Sequence, residues 1–175
     1  MPADTPADLA EEGKRLYGRG QYEQAAACLR GAVEGYTRAG DALAAAETAN
    51  NLSVTLLKAG HPRQALEAAL GTDEVFASAA DRKRQAMALA NQAAALEELG
   101  RAAEALETYG RAEALFMELG EGDMLAYVKQ AMAAIRLKHG EVLQSALKMI
   151  GSVEVKPNPT FWERVLKFLL RFKPW

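Results

Sequence analysis

Cysteine is almost missing from this chain: Cys28 stands alone among 175 residues. A lone thiol can close no internal disulfide and build no cysteine-rich zinc site, so a reducing cytoplasm is the expected compartment. Long hydrophobic runs are missing too. No stretch approaches the ~18 uninterrupted apolar residues of a membrane-spanning helix, and residues 1–20 hold no apolar run of the signal-peptide kind. β-branched residues are sparse and alanine is abundant, which favours helix over strand because alanine loses no side-chain entropy there. Basic charge is scarce in the body. Five of the 21 basic residues and one of the 23 acidic ones lie from Lys156 onward, so residues 1–155 carry −6 and the tail +4. An acidic body offers no general nucleic-acid footprint, and no nucleic-acid partner is expected.

The signatures of catalysis are lacking as well. There is no phosphate-binding glycine loop and no Gly-x-Ser-x-Gly elbow. His61 and His139 lie far apart, with no second ligand at metal spacing, and are read as turn residues at helix ends. Glu11–Glu12 and Glu97–Glu98 are neighbours in sequence, so on a helix they point apart and form no paired carboxylate site. A non-catalytic protein without cofactor or metal is the expectation.

What the chain does have is a period. Glycine recurs at Gly20, Gly60, Gly100 and Gly140, and Gly40, Ala80 and Gly120 fall midway, each followed by an acid: Asp41, Asp81, Glu121. Ala25, Ala65, Ala105 and Ser145 form a small-residue column. Leu16, Leu56 and Leu96 form an apolar column that breaks at Arg136. Tyr36, Phe76 and Phe116 form an aromatic column, and Ala46, Ala86 and Ala126 recur near the start of each later unit. A fixed forty-residue period is the mark of a stacked repeat.

Each unit reads as two antiparallel helices, with glycine ending the first in a left-handed residue. The predicted helices cover 6–18, 22–39, 42–59, 62–79, 82–99, 102–119, 122–139 and 141–152. Asp41 and Asp81 are predicted N-caps, and Thr5-Pro6-Ala7-Asp8 reads as a capping box with proline in the first turn. Cys28, among alanines, reads as a small core residue. The fold class is therefore all-α, a solenoid of helical hairpins covering residues 1–152 in units of about 6–40, 41–80, 81–120 and 121–152. A proline-containing linker at 153–159 and a further helix at 160–175 follow.

These residues resemble the tetratricopeptide repeat in its longer, forty-residue variety. Gly20-Gln21-Tyr22-Glu23-Gln24-Ala25 is similar to that family's turn, and residues 50–60 (Asn-Asn-Leu-Ser-Val-Thr-Leu-Leu-Lys-Ala-Gly) resemble first helices of kinesin light chains and spindle-orientation adaptors. The resemblance covers residues 6–150. Pro62 and Ala102 replace the turn aromatic, and the fourth unit departs at Arg136 and Ser145. The resemblance implies a right-handed solenoid whose first helices line a concave groove for a peptide or protein partner. Carried over, the groove positions are Glu11, Lys14 and Tyr17; then Glu47, Asn50, Asn51, Val54, Leu57 and Lys58. The third unit contributes Met87, Asn91, Ala94, Glu97 and Glu98, and the fourth Tyr127, Gln130, Ala134, Leu137 and Lys138. Asn51 and Asn91 are in phase, and an asparagine amide can satisfy both backbone groups of a bound chain. The carboxylate clamp of chaperone-tail binders is not matched, since Ala10, Lys14, Met87 and Asn91 occupy the other clamp positions. A sealed apolar pocket between Leu57, Met87 and Tyr127 would instead suggest a small-ligand sensor.

The tail has its own pattern. Pro157 and Pro159 break the helix, and Thr160 can cap a new one. On helical spacing Phe161, Val165, Phe168 and Phe172 share a face with Trp162, while Arg164, Lys167 and Arg171 gather opposite. At ~1.5 Å per residue such a helix is too short to span a bilayer. It would cap the solenoid, anchor peripherally to an anionic membrane as part of an assembly or recruitment factor, or dock on a partner or on another copy of the chain.

Overall fold

A computed structural model describes residues 5–151, with side-chain environments for residues 5–138 and 140. Among the described residues eight helices follow one another: α1 (Pro6–Gly18), α2 (Tyr22–Ala39), α3 (Ala42–Lys58), α4 (Pro62–Ala69), α5 (Thr72–Ser78), α6 (Arg82–Glu98), α7 (Ala102–Leu119) and α8 (Gly122–Gly151). No strand occurs among the described residues. Neighbouring helices pack in sequence order, α1 on α2, α2 on α3, α3 on α4 and α6 on α7. The fold is an all-α solenoid of helical hairpins. Two compact units are distinguished, Met1–Ile135 and Arg136–Trp175, and the site below belongs to the first.

The forty-residue columns have physical roles. Gly20, Gly60 and Gly100 take φ of 74°, 83° and 73°. Past each, one N–H closes the helix on the leucine column: Gln21 donates to Leu16 O, His61 to Leu56 O and Arg101 to Leu96 O. Those leucines are buried, so each turn is anchored in the core. The aromatic column closes the second helices in the same way, through Asp41 N–H to Tyr36 O, Asp81 N–H to Phe76 O and Glu121 N–H to Phe116 O. Ala25, Ala65 and Ala105 are fully buried and let each second helix approach its partner. Thr5 and Asp8 exchange capping bonds at 3.0 and 3.2 Å, and the Asp41 and Asp81 carboxylates accept from Ala44 N–H and Arg84 N–H.

Three expectations need correction. The helix predicted over 62–79 is two helices, parted at Leu70 (φ −58°, ψ 132°) and Gly71 (φ 78°). The break predicted at Gly140 does not occur, for α8 runs on to Gly151. There the leucine column has become Arg136, which is exposed, so no buried residue anchors a closing turn. Cys28 is only half-buried. Residues 152–175, including the linker and the amphipathic segment, lie outside the described residues.

Candidate functional site

Helices α1, α3, α6 and α8 turn one side toward a continuous trough made of three adjoining hollows. The smallest, about 170 Å³, lies between Lys14 and Tyr17 of α1 and Asn51, Val54 and Thr55 of α3. The middle one, about 460 Å³, is bounded by Glu47, Asn50, Asn51 and Val54 on one side and by Asp81, Lys83, Arg84, Met87 and Asn91 on the other, with Phe76 of α5 also lining it. The largest, about 780 Å³, runs from Val54, Leu57 and Lys58 across Met87, Asn91, Ala94, Glu97 and Glu98 to Tyr127, Gln130 and Ala134 of α8. Val54 borders all three, and Asn51, Met87 and Asn91 each border two, so the hollows form one channel.

Helical spacing produces this face. Asn51, Val54 and Lys58 of α3 recur three and four residues apart, as do Asn91, Ala94 and Glu98 of α6. Residues 51–60 and 91–100 repeat one sequence of buried, half-buried and exposed positions without a mismatch. The two asparagines are half-buried in both repeats. Their amides stand beside apolar floor residues and still meet the channel.

Charge along the trough is largely neutralised from within. Lys14 Nζ donates to Glu11 Oε1 at 2.8 Å, and that bond holds the ammonium above its ordinary range. Arg84 lies 3.3 Å from both Glu47 and Asp81, with its guanidinium 5.9 Å from the Phe76 ring centre, close enough for a cation–π attraction. Lys83 pairs with Glu121 at 2.6 Å. Tyr109, fully buried under the largest hollow, donates to Glu97 Oε2 at 3.2 Å. Burial, with Tyr127 and Glu97 beside it, pushes its phenol well above the usual range. At the rim, Lys58 and Glu98 are in phase and opposite in sign. Met87 and Tyr127 are 40% and 50% exposed, so the hollow by Leu57 is an open apolar channel and not a sealed pocket.

The structure thus brings together sixteen of the predicted groove residues: Lys14, Tyr17, Glu47, Asn50, Asn51, Val54, Leu57, Lys58, Met87, Asn91, Ala94, Glu97, Glu98, Tyr127, Gln130 and Ala134. Lys138 and Leu137 lie in the second unit. Phe161, Trp162, Arg164, Val165, Lys167, Phe168, Arg171 and Phe172 fall outside the described residues. His61 caps the start of α4 and its Nε2 lies 2.7 Å from Glu23 Oε1. No group of His, Cys, Asp or Glu among the described residues could hold a metal ion, and no described helix is long and apolar enough to cross a membrane.

Sequence reasoning missed the polar side chains behind the trough: Thr72, Asp73, Gln92 and Arg111, joined to Asn50. Two signals were available. Gly71-Thr72-Asp73 is a helix-start pattern inside a predicted helix, and Gln92 stands in the column of Leu52 and Met132.

Comparison with known proteins bears on the fold alone. No protein family matches the chain, and no curated protein matches it. Among 43 matching chains of solved structures is BtubC (BKLC) from P. vanneervenii, at 17% sequence identity with a TM-score of 0.67, covering 91% of this chain and 71% of that one. This chain is similar to BtubC in its helical repeat fold.

Proposed function

We propose that this protein is a non-catalytic tetratricopeptide-type scaffold that binds an extended segment of another protein in its trough. The observation that carries this reading is the placement of Asn51 and Asn91 at equivalent, half-buried positions of one open channel. Each amide offers both a donor and an acceptor. Together they would hold a peptide backbone, while Val54, Leu57, Met87 and Tyr127 receive its apolar side chains. The internal pairing of Lys14, Lys83 and Arg84 leaves little unspent charge, which favours a mixed or apolar segment over a strongly charged one.

The test is capture from host lysate on immobilised full-length chain, comparing wild type with the Asn51→Ala/Asn91→Ala double variant at matched circular dichroism. A partner held by wild type and lost by the variant supports the reading. A partner retained equally by both moves binding away from the asparagines.

A further inference from the structure

The interrupted second helix of the 41–80 repeat has the same length as its uninterrupted counterpart. Ala65 and Ala105 are equivalent and buried, as are Phe76 and Phe116. Asp81 N–H closes on Phe76 O just as Glu121 N–H closes on Phe116 O. A continuous helix like α7 would meet the same ends, so no insertion forces the break.

Side chains hold the break in place. Two of them occupy the Ala69 carbonyl where a helix N–H would sit: Thr72 Oγ1 at 2.7 Å and Gln92 Nε2 at 3.0 Å. Gln92 Nε2 also donates to Asp73 Oδ1 at 2.7 Å, and Arg111 Nη2 donates to Asp73 Oδ2 at 3.1 Å. Thr72 Oγ1 lies 3.2 Å from Asn50 Oδ1 and shares its one proton between that oxygen and Ala69 O. Asn50, Thr72, Asp73 and Gln92 are all buried. Gln92 replaces the buried apolar residue found at Leu52 and Met132, and Arg111 stands in the column of Gly71.

The apolar side of α5 is separate as well. Phe76, with Val75 against it, packs with Ala46 and Ala88 in a cluster of its own, whereas Phe116 belongs to the main core. Phe76 lines the middle hollow of the trough. Thr72 and Val75 line a different hollow of about 380 Å³, shared with Val33, Leu70 and Gly71. Helix α5 is a partition between the two.

We infer that α5 is a latched partition that opens ahead of the rest of the first unit, with Gln92, Asp73 and Arg111 as its latch. Seven residues are too few for a helix that stands without tertiary support, and small satellite clusters give low local opening energies. Satisfied, the buried polar chain rigidifies the segment. Losing one donor exposes a buried carboxylate and carbonyl to unmet bonding. Opening joins the two hollows beside Asn50 and widens the trough there. This does not depend on what the trough binds.

Hydrogen–deuterium exchange on the full chain tests it. Wild-type amides at 75–79 should exchange at least about tenfold faster than their counterparts at 115–119. Gln92→Leu, which installs the residue of the 52 column, should speed 75–79 by about a further tenfold while 115–119 stay within about twofold. Arg111→Gln, at a side chain 56% exposed, should act in the same direction more weakly. It decides the matter alone if Gln92→Leu does not fold. Equal exchange of the two segments in wild type, or an equal rise in both segments in the variants, overturns the latch.

Discussion

Ala80 is the one non-glycine residue with positive φ among the described residues, at 57°. It occupies the place held in neighbouring repeats by Gly40 and Gly120, with φ of 75° and 69°. A left-handed conformation costs an L-residue roughly 1–2 kcal/mol because Cβ crowds the following carbonyl. Replacing Ala80 by glycine removes that strain but frees the unfolded chain, which returns about 0.4–1 kcal/mol. The net expectation is a stabilisation of about 0.5–1 kcal/mol. For a chain of this size that raises Tm by roughly 1–4 °C. Gly120→Ala is the mirror experiment. An added Cβ there meets nothing within 4 Å, so no contact alters the balance of backbone strain and chain freedom, and Tm should fall by a similar amount. Both variants are read by thermal and urea unfolding under circular dichroism. A neutral or destabilising Ala80→Gly together with a neutral Gly120→Ala would refute the strain argument.

Three further outcomes are expected. Gly13→Ala places a Cβ 2.7 Å from Leu29 Cγ and 3.3 Å from Ala25 O; because Leu29 is locked in the core, urea unfolding should show a loss of about 1–3 kcal/mol. The raised Tyr109 pKa means that the unfolded chain releases its phenolic proton first as pH climbs. This contribution to stability is therefore complete below pH ~10 and is lost above it, and Tyr109→Phe should flatten that alkaline decline in urea midpoints. If the amphipathic 160–173 segment anchors to membrane, the full chain floats with anionic liposomes and a chain ending at Gly151 does not; equal recovery of both in the soluble fraction rejects an anchor.

The repeat architecture was legible because glycine, leucine, alanine and aromatic columns each perform one local task. Turn closure, helix approach and core filling all act within a few residues of the column that encodes them. The trough followed from the same phase, since residues three and four apart on α3 and α6 must share a face. Two features were not legible. Gly140 matches its column but lacks the buried leucine that anchors the turn at Gly20, Gly60 and Gly100, and a glycine without that anchor stays helical. The break at Gly71 is bonded by Gln92, nineteen residues past Asp73, and by Arg111 in the next repeat. Such bonding between distant residues leaves no periodic trace, only isolated departures from a column.

The trough between α1, α3, α6 and α8 is the face proposed to engage another polypeptide. Site-specific photo-crosslinking tests this, with a photoreactive phenylalanine analogue placed at Met87 inside the trough or at the exposed Glu67 of α4 outside it. A crosslinked partner polypeptide is expected from Met87, disappearing in the Asn51→Ala/Asn91→Ala background, and none from Glu67. Crosslinking from Glu67 alone, or a Met87 crosslink indifferent to the asparagines, would contradict it.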